Sequence, residues 1–254
     1  MTGEAAPDRR VFAITGTDRE TFLQGLVSND IDRLKDGPLW AALLTPQGKY
    51  LADFLLLAQG EAILLDIHES LAEGVAKRLG MYRLRADVRI EPSALHVTRG
   101  LGDPPAGAVA DPRHPALGWR LYSDTPGGKP AIDWDAIRVE HCIPETGIEL
   151  IPNETYILEA GFERLHGVDF RKGCYVGQEV TARMKHKTEL KKGLRRVAIE
   201  GDAPPGTPVT VDGKPAGTLF TRSGPHAIAW LRFDRAEAAQ PGAMQAGEAS
   251  LRLV

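Results

Sequence analysis

The sequence predicts an α+β fold that ends in a small antiparallel β-barrel. Three observations predict it. Apolar residues alternate between strand and helix periods through the first hundred residues, without the regular strand–helix repeat of a doubly wound sheet. From Leu194 onward the pattern changes to short strands divided by glycine and proline turns. The 27 glycines and 18 prolines in 254 residues imply many short elements rather than a long helical bundle. With 43% of its residues hydrophobic, the chain is long enough to bury two compact domains.

Arg10–Ile14 reads as a strand, followed by a turn where Thr17 or Asp18 can cap a helix over Arg19–Val27. Phe22, Leu23, Leu26 and Val27 give that helix one apolar face, and Ser28-Asn29-Asp30 ends it. Leu39–Leu44 and Tyr50–Ala58 form a hairpin around Pro46-Gln47-Gly48-Lys49, and Ala62–Ile67 is a third strand. Leu71, Val75 and Leu79 stand at helical spacing in Glu69–Leu79, and Val88–Ile90 and Leu95–Thr98 are short strands. The order β-α-β-β-β-α-β makes a sheet covered by helices. Gly100–Pro115 reads as a surface excursion, Leu117–Tyr122 as a strand, Thr125–Pro130 as an exposed loop and Ile132–Cys142 as a helix. Ile151–Glu159 reads as a short helix stopped by Gly161. The barrel strands are Leu194–Ile199, Pro208–Val211, Gly217–Thr221, His226–Phe233 and Ser250–Val254, with Ala236–Ala246 as a loop. The expected domains are a body over 1–190, in two parts of roughly 1–95 with returning segments and 96–190, and a barrel over 191–254.

The net charge of −3 hides an asymmetry. Between Arg171 and Arg196 stand nine Lys or Arg and two Glu, a local net of +7, so the rest of the chain carries −10. A basic stripe on an acidic body calls for an anionic partner such as a polyanionic small molecule, a polyglutamate tail or RNA, or else is a solvated surface. The overall charge is wrong for a nucleic-acid-binding protein, so no direct nucleic-acid binding is expected. No apolar segment is long enough to span a bilayer, the N-terminal residues lack an apolar export segment, and two cysteines make no disulfide scaffold. These readings predict a soluble, cytoplasmic protein that engages no membrane. No metal-ligand spacing, P-loop, dinucleotide fingerprint or nucleophile elbow occurs, which argues against a bound metal and against ATPase, dehydrogenase and serine hydrolase activity.

The most informative segment is Lys172-Gly173-Cys174-Tyr175-Val176-Gly177-Gln178-Glu179. Cys174 is either a reactive or ligand-contacting thiol, favoured as thiolate by Arg171 and Lys172, or inert packing in a glycine-cradled turn. Gly177-Gln178-Glu179 is a helix entry, and Arg183 beyond it can reach an anion. Asp53 lies inside the apolar strand Leu51–Leu57, where an acid either faces solvent or meets a ligand. Asn29, Asp30 and Glu154 have capping as their simplest reading. Glu159, near the C-terminal end of its expected helix, is unfavourable to the helix dipole and so points to a specific partner.

The octet resembles the signature of the YgfZ family, the CAF17-like or IBA57-like iron–sulfur cluster assembly proteins. The resemblance extends to Phe22-Leu23-Gln24-Gly25 with Ser28-Asn29-Asp30, to Leu43–Lys49 with Leu51-Ala52-Asp53, and to Pro144–Gly147 with Ile151–Glu154. It covers essentially the whole chain. The family is related to the folate-dependent aminomethyltransferase of glycine cleavage, which implies parts arranged around a central folate channel closed by the barrel. That relative carries two adjacent aspartates where this chain has Ala52 and Asp53, so the resemblance argues against aminomethyl transfer. It implies a tetrahydrofolate-binding factor, with polyglutamylated folate included, that supports assembly, insertion or repair of [4Fe–4S] clusters in client enzymes, among them radical enzymes that modify tRNA. The pterin edge would lie near Asn29, Asp53 or Glu159, and the glutamate carboxylates near Lys172 or Arg183. Cys174 and Asp53 would carry the chemistry, with Cys174 in transient contact with a cluster, as a redox thiol or as a carbon acceptor. The implied partners are folate and iron–sulfur client or assembly proteins. A folate-dependent one-carbon transferase or demethylase is the alternative, and a non-enzymatic RNA-binding or scaffold protein the third reading.

Overall fold

The computed structural model describes residues 3–187 and 189–254; Met1, Thr2 and the Thr188 position of the basic stretch lie outside the described residues, and of Lys187 only the backbone is described. The chain divides into two compact units, Met1–Ile132 with Phe162–Val180, and Asp133–Gly161 with Thr181–Val254.

The first unit holds β1 (Glu4–Ala5), β2 (Arg9–Thr15), α1 (Arg19–Gln24), a 3-10 turn (Ile31–Asp36), β3 (Leu39–Leu44), β4 (Tyr50–Gln59), β5 (Ala62–His68), α2 (Glu69–Tyr82), β6 (Arg89–Pro92), β7 (His96–Gly100), β8 (Val109–Ala110) and β9 (Trp119–Ser123). One antiparallel sheet runs β3-β4-β5-β2-β6 and a second runs β1-β7-β9-β8. Every residue of β3 is buried, as in a strand covered on both faces. On one face Leu39, Ala41, Leu43, Ala52, Phe54 and Leu56 join Leu23, Leu26 and Val27, together with Ala72, Val75 and Leu79 of α2, in a single apolar core.

Three local expectations are corrected. α1 ends at Gln24 rather than Val27, because Gly25 caps it and the chain then turns. Asp18 occupies the N-cap position but its carboxylate accepts from the backbone of Asp87, 2.8 Å away, instead of capping α1. The excursion Gly100–Pro115 is not wholly superficial: it contributes β8, and Asp111 and Arg113 are buried.

Those two residues belong to a chain of alternating buried charges. Asp66 on β5 accepts from Arg9 at 2.7 Å, Arg120 at 3.0 Å and the Tyr122 hydroxyl at 2.9 Å. Arg120 also donates to Asp111 at 2.9 Å, and Asp111 takes both prongs of Arg113 at 3.0 and 2.8 Å. Burial would raise the pKa of Asp66, but the guanidiniums of Arg9 and Arg120 hold it below the ordinary carboxylate range; Asp111 is held down in the same way by Arg113 and Arg120.

The second unit holds α3 (Trp134–His141) and the barrel strands β10 (Lys192–Glu200), β11 (Pro208–Val211), β12 (Lys214–Ser223), β13 (His226–Arg232), β14 (Met244–Ala246) and β15 (Ala249–Leu253). A further helix, Gln178–Lys187, bridges the sequence division, and a single turn, Phe233–Ala236, follows β13. The strands close in the order β10-β13-β12-β11-β14-β15, with β15 pairing back onto β10. Small side chains at Ala227, Ala229, Ala246 and Ala249 suit the narrow interior, where Val197, Leu219, Leu231 and Leu251 also pack. The expected loop over Ala236–Ala246 is corrected, since its last three residues form β14; the alternation of buried Met244 and Ala246 around exposed Gln245 is too short to recognise. The expected helix over Ile151–Glu159 is absent: the backbone makes separate turns there, and Asn153 in the left-handed region (φ 66°) interrupts them. Glu149 joins α3 to the barrel by accepting from Arg138 at 3.0 Å and from the Thr221 hydroxyl at 2.5 Å.

Replacing Asp66 with Asn should cost about 3–5 kcal/mol in urea unfolding, because the buried guanidiniums lose their countercharge. The depressed Asp66 and Asp111 give stability that is complete above the ordinary carboxylate pKa of about 4 and is lost as pH falls through the folded-state values. Acid unfolding of D66N should accordingly show a shallower pH dependence than that of the parent.

Candidate functional site

The candidate site in the first unit is built on the face of β3 and β4 opposite the apolar core. Successive residues of a strand point to opposite faces. Ala52 joins the core, so Asp53 faces the other way, directly across from Ala42 and diagonal to Trp40. A β-bulge between Leu43 and Leu44 pairs Leu44 with Tyr50, leaving Leu51 as the extra residue. The bulge reverses the alternation and turns Tyr50 onto the Asp53 face. Tyr50 OH then donates to Asp53 Oδ1 at 2.7 Å, and Trp40 Nε1 donates to Oδ2 at 2.8 Å. Asp53 is 4% exposed. It is neither on a solvent-facing position nor an orphan, but a carboxylate oriented by two aromatic donors.

Trp40 is itself fixed. Phe162 stacks on it with ring centroids 3.8 Å apart, and the Arg113 guanidinium lies 6.0 Å from the ring centroid. Gly167 completes the contact, because a Cβ there would lie 2.5 Å from Phe162 and 2.6 Å from Trp40. Trp40, Tyr50, Phe162 and Arg113 were not identified from the sequence. The bulge and the return of residues 162–167 to β3 are tertiary features, and only the Trp40–Asp53 spacing within one hairpin was available as a signal.

Asn29 and Lys172 have different roles from those expected. The Asn29 amide donates to the carbonyls of Trp40 at 2.8 Å and His166 at 2.7 Å, and its Oδ1 accepts from Asp30 N at 2.9 Å. Lys172 is buried, and its ammonium donates to the carbonyls of Gln24 (2.8 Å), Val27 (2.6 Å) and Asn29 (2.8 Å). An ammonium has three donors, so none is left for a folate glutamate. Burial pulls the Lys172 pKa down to about 8, against Asp30, Asp169 and Asp32, while the three carbonyls favour the charged form.

The octet is thus clamped at both ends. On the N-terminal side Lys172 grips the turn after α1 and its ammonium lies 5.0 Å from the Tyr175 ring centroid. On the C-terminal side Gly177, with φ 85°, fits against the β3–β4 turn, where a Cβ would lie 2.6 Å from the Thr45 carbonyl. Gly48 of that turn fits equally closely against Val180. Between the clamps Cys174 is exposed, so it is not packing in a glycine-cradled turn. Nothing lies within 4 Å of a Cβ built at Gly173.

The remaining expected residues lie in the second unit. Glu159 sits in a turn, not at a helix end; its carboxylate accepts from Trp230 Nε1 at 3.2 Å and pairs with Lys192 at 3.5 Å. Arg183 is exposed on the helix Gln178–Lys187, which starts where the sequence predicted a helix entry. The basic stretch is not a continuous anion surface: Lys172 is committed to carbonyls, Lys192 to Glu159 and Arg196 to Glu140 at 2.6 Å, and Arg195 lies on the Phe233 ring. Among the described residues no group of three or more His, Cys, Asp or Glu is gathered as a metal site.

The fold is aminomethyltransferase-like: glycine cleavage system aminomethyltransferase T from Bartonella henselae superposes with a TM-score of 0.73 over 96% of this chain and 82% of that one, at 13% identity. Residues 191–254 match the CAF17 C-terminal beta-barrel domain. The chain is 32% identical to the mitochondrial iron–sulfur cluster assembly factor IBA57 of Mus musculus, over 89% of its own length and 76% of that protein's. It is 30% identical to the Homo sapiens counterpart, over 88% and 75%. The chain belongs to the YgfZ/CAF17–IBA57-like family of folate-binding iron–sulfur assembly proteins. The expectation of a cytoplasmic protein is overturned by these relatives, which are mitochondrial, as is the homolog from Mycosarcoma maydis. The lack of an apolar export segment does not separate the remaining compartments.

Replacing Lys172 with Met should lower stability by about 3 kcal/mol, because three buried carbonyls lose a charged donor. The clamp on the octet should loosen with it, changing the reaction rate of Cys174 with a soluble disulfide reagent several-fold under native conditions. Unchanged unfolding and unchanged thiol kinetics would show that Lys172 does not hold the loop.

Proposed function

We propose that the protein binds tetrahydrofolate and uses Cys174 in the assembly, insertion or repair of [4Fe–4S] clusters in client enzymes. The observation that carries the reading is the exposed thiol held between two clamps in a chain of this family. A thiolate is a soft ligand for iron, and one thiolate does not hold a [4Fe–4S] cluster alone. The cluster would be a transient cargo whose other ligands come from a client or assembly protein.

The folate half of the proposal rests on Asp53. An ionised carboxylate has about four acceptor positions, and Trp40 and Tyr50 orient the group while supplying one donor to each oxygen. A carboxylate accepts, and the amine–amide edge of a pterin offers two parallel N–H donors, so the two are matched. Asn29 and Lys172 would support this site from behind, through the backbone, rather than touch the ligand. Glu159 remains a second candidate for the pterin, and Arg183 is the proposed cation for a glutamate tail. Bound folate would supply a one-carbon carrier or a redox-active pterin ring.

Three variants test the proposal. Replacing Cys174 with Ser should leave the unfolding midpoint and tetrahydrofolate affinity within twofold and abolish rescue of [4Fe–4S] enzyme activity in cells lacking the protein; normal client activity in C174S would remove the thiol from the mechanism. Replacing Asp53 with Asn should weaken tetrahydrofolate by about tenfold or more in calorimetry, since a charge-assisted pair is worth about 1.5–3 kcal/mol. Replacing Arg183 with Glu should weaken a polyglutamylated folate more than the monoglutamate. Equal losses would exclude Arg183 as the tail contact.

A further inference from the structure

The outer face of α2 has no use in the site described above. Its inner face is accounted for by Ala72, Val75 and Leu79, which pack into the core. At helical spacing on the other side stand Gly74, Lys77, Gly80 and Met81, with Leu84 just beyond the helix. Met81 is 62% exposed and Leu84 88% exposed, the latter on left-handed backbone (φ 46°) that projects it. A leucine has every reason to avoid both that exposure and that conformation. Gly74 and Gly80 weaken a helix interior, yet a Cβ at either would meet nothing within 4 Å. The fold itself therefore does not require glycine at either position.

Charge sets the chemistry of that second surface. From 74 to 90 the chain carries Lys77, Arg78, Arg83, Arg85 and Arg89 against one acid, Asp87, whose carboxylate is bonded to Thr17. The local net of +4 leaves −7 for the rest of the chain. Cations around exposed apolar side chains match the anatomy of a protein interface, with anchors at the centre and charge at the rim. At the other end of the same helix the exposed Glu69 and Glu73 share Arg10, at 2.9 and 3.8 Å, so two acids stand there against one cation. A bilayer or nucleic acid presents phosphate along its whole surface and gains nothing at that end, whereas a protein can change sign along its length.

We propose that the outer face of α2 docks a partner protein through an acidic amphipathic helix, whose apolar side covers Met81 and Leu84 and whose carboxylates meet Arg83 and Arg85. The probe is a synthetic 18-residue helical peptide with leucines on one face and glutamates elsewhere, titrated against the full chain by fluorescence anisotropy. A peptide of the same composition with the leucines scattered is the control. Binding of the amphipathic peptide should weaken at least tenfold in the double variant Met81→Ser with Leu84→Ser, and at least tenfold in Arg83→Glu with Arg85→Glu, at unchanged unfolding midpoint. The control should bind at least tenfold more weakly and ignore the serine variant. No binding, equal binding of both peptides, stronger binding to phosphatidylserine vesicles or poly(U) RNA, or self-association through this face by light scattering would each overturn the proposal. Tetrahydrofolate affinity, measured in the same variants, should not change, which separates this surface from the folate reading.

Discussion

The buried ammonium of Lys172 is the constraint on which the candidate site depends. Its three carbonyl partners come from the end of α1 and the turn after it, a stretch with little regular structure of its own. Backbone carbonyls left there without donors would be costly, and one cation satisfies them together. The same residue anchors the octet, so the charge that organises the turn also fixes where Cys174 emerges. Asn29 extends the connection, because its own carbonyl accepts from Lys172 while its amide donates to Trp40 O. From there one aromatic ring leads to Asp53. Two groups far apart in sequence are thereby mounted on one continuous hydrogen-bonded support.

The support also explains how much chemistry the hairpin can offer. Because Ala52 faces the apolar core, a carboxylate at that position would be directed into Leu23, Val27 and their neighbours and not toward Trp40. Of the two adjacent positions only 53 can present a carboxylate to the Trp40 and Tyr50 donors. The bulge at Leu51 brings Tyr50 round without disturbing β3, so Asp53 has a donor on each oxygen. An acid held this way is rigid, and the rigidity favours recognition of a fixed donor pattern over a large excursion during a reaction.

Elements with a regular apolar pattern were legible in the sequence. The hairpin of β3 and β4, the third strand β5, the helix α2 and most of the barrel strands each carry a continuous apolar run, alternation or helical spacing that identifies them. The failures share a cause. Met244–Ala246 is three residues long and is a strand only because β11 and β15 flank it. Ile151–Glu159 has a helix-like opening, but Glu149 and the left-handed Asn153 impose turns. For the site, the octet and Asp53 could be singled out by type and setting, whereas Trp40, Phe162 and Arg113 required knowing which loops return to β3. Asn29 and Lys172 show the same limit, since an amide or ammonium reads as a ligand group until its backbone partners are known.

Charge runs show the same limit from another side. The +7 of residues 171–196 looked like an anion surface, yet Lys172, Lys192, Arg195 and Arg196 each have a carbonyl, carboxylate or ring within the fold. The smaller cluster after Gly74 is inconspicuous in the sequence, because five cations spread through a helix end are ordinary in composition. In the structure it surrounds Met81 and Leu84, whose exposure the fold does not explain. Net charge along a sequence measures how many cations a segment has, and the partners inside the fold decide how many remain for another molecule. What sets the turn beyond α2 apart from the segment that follows the octet is that its cations stand beside exposed apolar side chains, Met81 and Leu84.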